Sequence, residues 1–152
     1  DYIIDTTSLS PSQLRGRIVT IFEGETTPML ISCQSFGFRN GLPQDADLVF
    51  DVRCLPNPYY VPELKEHDGT EGPVRDYVMN APESHEMLQK LEELLAFSIP
   101  LYQREGKSQL VVAVGCTGGR HRSVAIACQL AAYLRSLGYR VGLSHRDKDN
   151  RR

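Results

Sequence analysis

The 152-residue sequence lacks several features that would assign it to a broad class of protein. No apolar run approaches the roughly 18 residues that a membrane span requires, so we expect no membrane partner. The four cysteines never show C-x-x-C spacing, which argues against a zinc site and favours reduced thiols in a cytoplasmic protein. The chain also lacks a large excess of positive or negative residues, since its net charge is only -2. Any nucleic-acid binding would therefore require a local basic patch.

What is present is a pattern of apolar runs that alternates strands with helices. Hydrophobic residues make up 41% and charged residues 24% of the chain, as in soluble globular domains. The alternation predicts a single α/β domain with a mainly parallel sheet flanked by helices. Pro100 is expected to kink or end its helix. The predicted strands are 1–5, 18–22, 29–36, 48–53, 110–114 and 139–144, and the predicted helices are 7–15, 72–79, one from 82, and 123–136.

Residues 115–123, Gly-Cys-Thr-Gly-Gly-Arg-His-Arg-Ser, join a predicted buried strand to a predicted helix. Such a turn offers free backbone N–H groups and the positive end of a helix dipole to one point in space. Arg120, His121 and Arg122 add basic side chains. The segment therefore predicts a phosphate or other oxyanion site at the carboxyl edge of the sheet, where parallel sheets bind ligands.

Cys116 and Arg122 stand in a C-x5-R spacing, which is also the phosphate-loop pattern of cysteine-dependent phosphatases. A thiol at a helix N-terminus beside arginines is expected to have a lowered pKa and to be a nucleophile candidate. Asp51, Asp76 and Asp147 are candidates for the general acid. The alternative is that Cys116 packs under a loop that only binds.

Residues near other strand ends are candidates for the same crevice. Asp51 and Arg53 face one side of a strand and could hold a ligand hydroxyl and a phosphate, or form a surface ion pair. Tyr59 and Tyr60 could wall a small-molecule site or pack in the core. His121 could touch a ligand or support the loop.

Two further groups have open alternatives. His145 and Asp147 could orient polar groups near the crevice or belong to an exposed tail. A patch facing RNA, or simply solvated charges, could be formed by Arg39, Lys148, Arg151 and Arg152.

Residues 115–124 closely resemble the signature of the RapZ/YvcJ family, known as RNase adapter or P-loop nucleotide-binding proteins. Segments 36–41, 50–53, 55–58 and 145–147 agree with that family as well. The resemblance implies that residues 26–152 are a C-terminal ligand- and RNA-binding domain and that 1–25 are a remnant of an N-terminal domain or linker. ATP or GTP is expected only in that N-terminal domain, because no G-x-x-x-x-G-K-[ST] motif occurs here. No cofactor and no metal are expected in this chain.

The resemblance further implies a non-catalytic sensor of glucosamine-6-phosphate that presents small RNA to an endoribonuclease or engages a regulatory protein, and that self-associates. Tyr59 stands where enterobacterial members carry a histidine. The expected ligand residues, which a phosphosugar, phosphate or sulfate would contact, are Cys116, Thr117, Gly118, Gly119, Arg120, His121, Arg122 and Ser123, with Asp51, Arg53 and Tyr59 bordering the sugar.

Overall fold

A computed structural model describes residues 29–150, which form an α/β fold with one parallel sheet. Its strands are β1 (Leu30–Gly37), β2 (Leu48–Asp51), β3 (Gln109–Cys116) and β4 (Arg140–His145), in the order β2-β3-β1-β4. Its helices are α1 (Gly72–Met79), α2 (Pro82–Arg104) and α3 (Arg122–Ser136). The predicted fold class is confirmed. The predictions made for residues 1–25, and for Arg151 and Arg152, lie outside the described residues.

The core lies between the sheet and the helices. Strand β3 lies between β1 and β2, and its residues from Leu110 to Cys116 are buried, as expected for a strand covered by neighbours. Helix α3 packs over β1, β3 and β4. Each large side chain buried here contributes about 1.5–3 kcal/mol relative to an exposed one. Fully buried core side chains include Ile31, Val112, Val114, Leu95, Ile99, Ile126, Leu130 and Leu134.

Proline begins the first two helices, as the sequence predicts, but it does not end the second. Pro73 and Pro82 occupy opening helical positions, where the missing N–H costs nothing. Helix α2 continues past Pro100 to Arg104. Ile99 is buried together with Leu91 and Leu95 on one face of α2, so tertiary packing outweighs the lost backbone hydrogen bond.

The parallel sheet brings the loops that follow its strands to one edge. A 3-10 helix at Phe38–Asn40 follows β1, and a second at Pro58–Tyr60 lies in the loop after β2. Residues 117–121 follow β3, and residues 146–150 follow β4. Segments that are far apart in the sequence therefore meet at the carboxyl edge, where the sequence predicts the ligand site.

Candidate functional site

A cavity of about 450 Å³ opens at this edge, within the size range of small-molecule sites. Two loops supply most of its wall: the long loop between β2 and α1, which includes Lys65, and the loop between β3 and α3. The lining residues are Arg39, Asn57, Tyr59, Tyr60, Lys65, Glu66, Cys116, Thr117, Gly118, Arg120, His121, Arg122 and Asn150.

The loop between β3 and α3, residues 117–121, forms the electropositive end of the cavity. Helix α3 begins at Arg122, and the N–H groups of its first turn have no intrahelical acceptor, as in any helix. The side chain of His121 does not cap them either. Gly119 has a φ of 81°, a left-handed backbone conformation that favours glycine at this turn. Free N–H groups and the helix dipole favour an anion at this end.

Arg122 is the most deeply buried cation of the cavity, with only 5% of its surface exposed. Its Nη1 donates to the carbonyl oxygens of Arg53 at 2.6 Å and Leu55 at 3.2 Å, and Nη2 donates to Thr117 Oγ1 at 3.3 Å. Its Nε is buried and has no hydrogen-bond partner among the described residues. A buried donor left unpaired costs about 1–3 kcal/mol, so this edge of the guanidinium favours a bound acceptor.

Cys116 ends β3 and lines the cavity, while Ser123 lies behind it. The two side chains are within hydrogen-bond distance, since Cys116 Sγ lies 3.1 Å from Ser123 Oγ, and both are buried. Ser123 does not line the cavity, so it supports the loop from below.

Arg120 and His121 hold the loop to its neighbours. Arg120 Nη2 donates to the carbonyl oxygen of Glu66 at 3.0 Å, and its Nε donates to that of Lys148 at 2.9 Å. His121 Nε2 lies 3.2 Å from the carbonyl oxygen of Lys65. Burial, helped by the charge of Arg120, lowers the pKa of His121, so the ring is neutral at pH 7 and can donate one N–H to that carbonyl. This geometry is that of a loop-supporting histidine that also reaches the cavity wall.

Because two buried or partly buried histidines have lowered pKa values, we expect the protein to lose stability in mild acid. Burial is the main reason that the pKa values of His121 and His145 lie below 6.5 in the folded protein. As pH falls below about 6.5, the unfolded chain takes up these protons first, so the free energy of unfolding falls. Urea denaturation at pH 7.5 and pH 5.5 measures the loss.

The matched variant for this measurement carries His121→Gln and His145→Gln together. We expect its free energy of unfolding to fall less between the two pH values than that of the wild type. Equal losses would show that these histidines are not the cause.

Of the residues predicted to border the sugar, the structure brings only Tyr59 to the cavity. Lys65 Nζ lies 4.8 Å from the centre of the Tyr59 ring, a cation–π distance. Asp51 and Arg53 do not line the cavity but pair with each other at 2.7 Å on the exposed surface. The hydrogen bond from Arg53 lowers the pKa of Asp51. The Arg53 guanidinium also stacks 3.9 Å from the centre of the Phe38 ring, so this pair corresponds to the surface alternative.

Asp147 is buried rather than part of an exposed tail, with 5% of its surface exposed. Its Oδ2 accepts a hydrogen bond from the backbone N–H of Gly37 at 2.7 Å. Burial raises the pKa of Asp147, but the hydrogen bonds from Arg146 and Gly37 outweigh it and hold the pKa below its usual value. The exposed-tail alternative is therefore wrong for this residue.

Some lining residues carried little or no signal in the sequence. Asn57 lies in segment 55–58, which resembles the family, and Asn150 follows β4, which is only a weak positional hint. Lys65 and Glu66 lie far along the loop after β2, so only the tertiary structure places them beside the loop between β3 and α3.

Of the residues of the predicted RNA patch, the structure describes Arg39 and Lys148. Arg39 lines the cavity, and its guanidinium lies next to Gly118. A Cβ built on Gly118 would come within 3.2 Å of Arg39 Nη2. Lys148 pairs with Asp149 at 3.2 Å and lies 3.9 Å from Asp68.

Within residues 29–150, no cluster of three or more His, Cys, Asp or Glu side chains is placed to hold a metal ion. None of the helices in this range is both long and apolar enough to cross a membrane.

Comparison with known proteins decides the family. A sequence profile described as the RapZ C-terminal domain matches residues 29–149. The chain belongs to the RapZ C-terminal domain family. The RapZ match covers every residue that lines the cavity except Asn150.

Curated relatives agree with this assignment. A nucleotide-binding protein of Alkaliphilus oremlandii is 55% identical over 150 residues, covering 97% of this chain and 52% of that protein. Nucleotide-binding proteins of Bacillus cytotoxicus and Geobacter sulfurreducens are 50% and 51% identical, over 99% and 97% of this chain and 51% and 53% of their own lengths. The chain thus spans about half the length of these relatives.

Proposed function

We propose that this cavity binds a phosphorylated amino sugar of the glucosamine-6-phosphate type and that the domain acts as a non-catalytic sensor. The observation that carries the proposal is the buried, unpartnered Nε of Arg122 beside the uncapped start of α3. Nε and Nη2 lie on one edge of the guanidinium and can both donate to a single phosphate. The N–H groups of the first turn of α3 complete the phosphate subsite.

The charges of the cavity match such a ligand. Its cationic side chains are Arg39, Lys65, Arg120 and Arg122, which together favour a phosphate dianion. Glu66 is the one carboxylate among the lining residues of the described structure, and it offers a partner for the ammonium group of an amino sugar. The tyrosine and asparagine side chains supply hydrogen bonds for sugar hydroxyls.

The role of Glu66 gives a direct test by isothermal calorimetry. Wild-type protein is expected to bind glucosamine-6-phosphate more tightly than glucose-6-phosphate, because only the amino sugar carries an ammonium group. Glu66→Gln is expected to remove most of this preference, reducing affinity for the amino sugar about tenfold, the size of one charge-assisted hydrogen bond.

Glu63→Gln is the matched control, since this carboxylate is exposed and does not line the cavity. It should leave both affinities as in the wild type. Absence of heat with every sugar phosphate would overturn the proposed function. An unchanged preference in Glu66→Gln would remove Glu66 from the site.

The second candidate, a cysteine phosphatase, is favoured by the position of Cys116 in the cavity wall beside Arg122. It needs a general acid, and no aspartate is among the described lining residues. Asp51 pairs with Arg53, and Asp147 is buried against Gly37. Turnover of an aryl phosphate that Cys116→Ser abolishes would support this enzyme instead of the sensor.

The adapter role is proposed to act through partners outside the cavity. Small RNA, an endoribonuclease or another regulatory protein, and a second copy of the chain are the proposed partners. A nucleotide would bind to a part of the longer relatives that this chain does not span. Ligand occupancy would bias partner binding if the domain adopts two conformations and one of them binds the sugar phosphate more tightly.

A further inference from the structure

The segment after β4, residues 146–150, contacts the loop between β3 and α3, residues 117–121, which the proposed function makes the phosphate loop. The backbone N–H of Arg146 donates to the carbonyl oxygen of Ser35 at 3.0 Å, and Arg146 Nη2 donates to that of Gly41 at 2.6 Å. The carboxylate of Asp147 accepts from the backbone of Gly37, as described above. These bonds attach the segment to the end of β1.

A turn then brings Asn150 to the cavity. The backbone N–H of Asn150 donates to the carbonyl oxygen of Asp147 at 3.0 Å, which closes the turn. Asn150 lines the cavity, although the rest of the wall comes from segments much earlier in the chain. Residues 146–150 therefore supply a separate wall of the site.

Arg120 connects this wall to the opposite one. Its Nε donates to the carbonyl oxygen of Lys148, and its Nη2 donates to that of Glu66. The backbone carbonyl of Arg120 also accepts from the N–H of Gly69 at 2.8 Å. One residue of the phosphate loop thus joins the Lys65–Glu66 wall to the Asn150 wall. The planar guanidinium, with donors in fixed directions, suits this task better than an ammonium group.

We propose that Asn150 is a ligand-contacting residue that selects for the sugar part, and that Arg120 is the positioning residue that holds it there. This inference rests on the proposed sugar-phosphate function. The amide of Asn150 can both donate and accept a hydrogen bond, which matches a sugar hydroxyl. A bound sugar phosphate touches both walls and so holds residues 146–150 closed.

Calorimetry with glucosamine-6-phosphate and with inorganic phosphate tests the role of Asn150. Asn150→Ala is expected to lower the affinity for the sugar phosphate about fivefold to tenfold, as for the loss of one neutral hydrogen bond. Its affinity for inorganic phosphate should not change, because the proposed phosphate contacts are Arg122 and the first turn of α3 and do not include Asn150. Asn80→Ala, at the exposed end of α1, is the matched control and should bind both ligands as the wild type does.

Limited trypsin digestion tests the role of Arg120. Saturating glucosamine-6-phosphate is expected to slow cleavage after Lys148 in the wild type, measured by mass spectrometry. Arg120→Lys keeps the positive charge but loses the fork of donors, so cleavage after Lys148 should stay fast even at ligand concentrations that saturate this variant. A uniform rise in cleavage at all lysines would instead indicate general destabilisation and would contradict a positioning role.

These experiments distinguish a failure of the proposed function from a failure of the inference about Asn150 and Arg120. If wild-type protein binds neither ligand, the proposed function fails and this inference fails with it. If it binds the sugar phosphate but Asn150→Ala has unchanged affinity and the ligand does not slow cleavage after Lys148, the inference is wrong while the proposed function stands.

Discussion

Replacing Arg122 with alanine is expected to weaken sugar-phosphate binding about 100-fold. Two charge-assisted hydrogen bonds from one guanidinium edge to a phosphate are worth roughly 1.5–3 kcal/mol each, although the loss is partly offset by water. Arg122 also balances phosphate charge within a buried setting, where electrostatic interactions are stronger than in water. Titration calorimetry with glucosamine-6-phosphate measures the effect.

Two variants control for charge and stability. Arg122→Lys keeps the charge without the bidentate edge, so it should bind with intermediate affinity. Arg140→Ala removes an exposed arginine at the start of β4, at the opposite edge of the sheet, and should bind as the wild type does. Equal affinity in Arg122→Ala and the wild type would exclude a direct contact between Arg122 and the phosphate.

Arg122→Ala should also lower stability, which must be measured in parallel. The variant leaves the carbonyl oxygens of Arg53 and Leu55 without the donor they have in the wild type. Urea denaturation without ligand gives this cost, and binding should be compared under conditions where both proteins are folded. Recovery of wild-type affinity in the folded fraction would contradict a direct contact with phosphate.

Replacing Gly119 with alanine is expected to cost about 3–5 kcal/mol of folding stability and to abolish sugar-phosphate binding. At a φ of 81° a side chain is disfavoured by roughly 1–2 kcal/mol. The added Cβ would also lie 2.5 Å from the backbone nitrogen of Gly37 and 2.8 Å from the carbonyl carbon of Phe36. Because both are backbone atoms, either β1 or the phosphate loop must move. Urea denaturation and calorimetry measure the two effects.

Substitutions at two other glycines separate the stability cost of a positive φ from the cost of steric crowding. Gly138 has a φ of 96° with open space around its Cβ position, so Gly138→Ala should cost only about 1 kcal/mol. Gly142, in β4, has open space and no positive φ, so Gly142→Ala should change stability little. If Gly119→Ala costs no more than Gly138→Ala, the close approach of β1 to the loop is not required.

Local rules predicted most of the elements because each rule acts over a few neighbours. Pro73 and Pro82 indicated the starts of α1 and α2, and Gly138 has the positive φ expected just beyond the end of α3. The alternation of strands and helices predicted the parallel sheet. Pro100 is the exception, because burial of Ile99 keeps the helix continuous.

The site was only partly predictable, because local rules act only over neighbouring residues. Residues of the phosphate loop are close in the sequence, and the structure places Cys116, Thr117, Gly118 and Arg122 around one cavity. Asp51 and Arg53 share a strand face, yet they satisfy each other and do not line the cavity. A two-residue spacing indicates that two side chains lie on the same side of a strand. It does not indicate whether they bind each other or a ligand.

The sequence by itself determined the loop between β3 and α3, because a strand, two glycines and an uncapped helix start need only adjacent residues to form it. The tertiary structure alone decided the rest of the cavity. The strand order β2-β3-β1-β4 brings distant loops to one edge, and the bonds from Arg120 to Glu66 and Lys148 connect segments 54 and 28 residues away. Such contacts depend on the whole fold, so no local spacing could place Lys65, Glu66 and Asn150 around the same cavity.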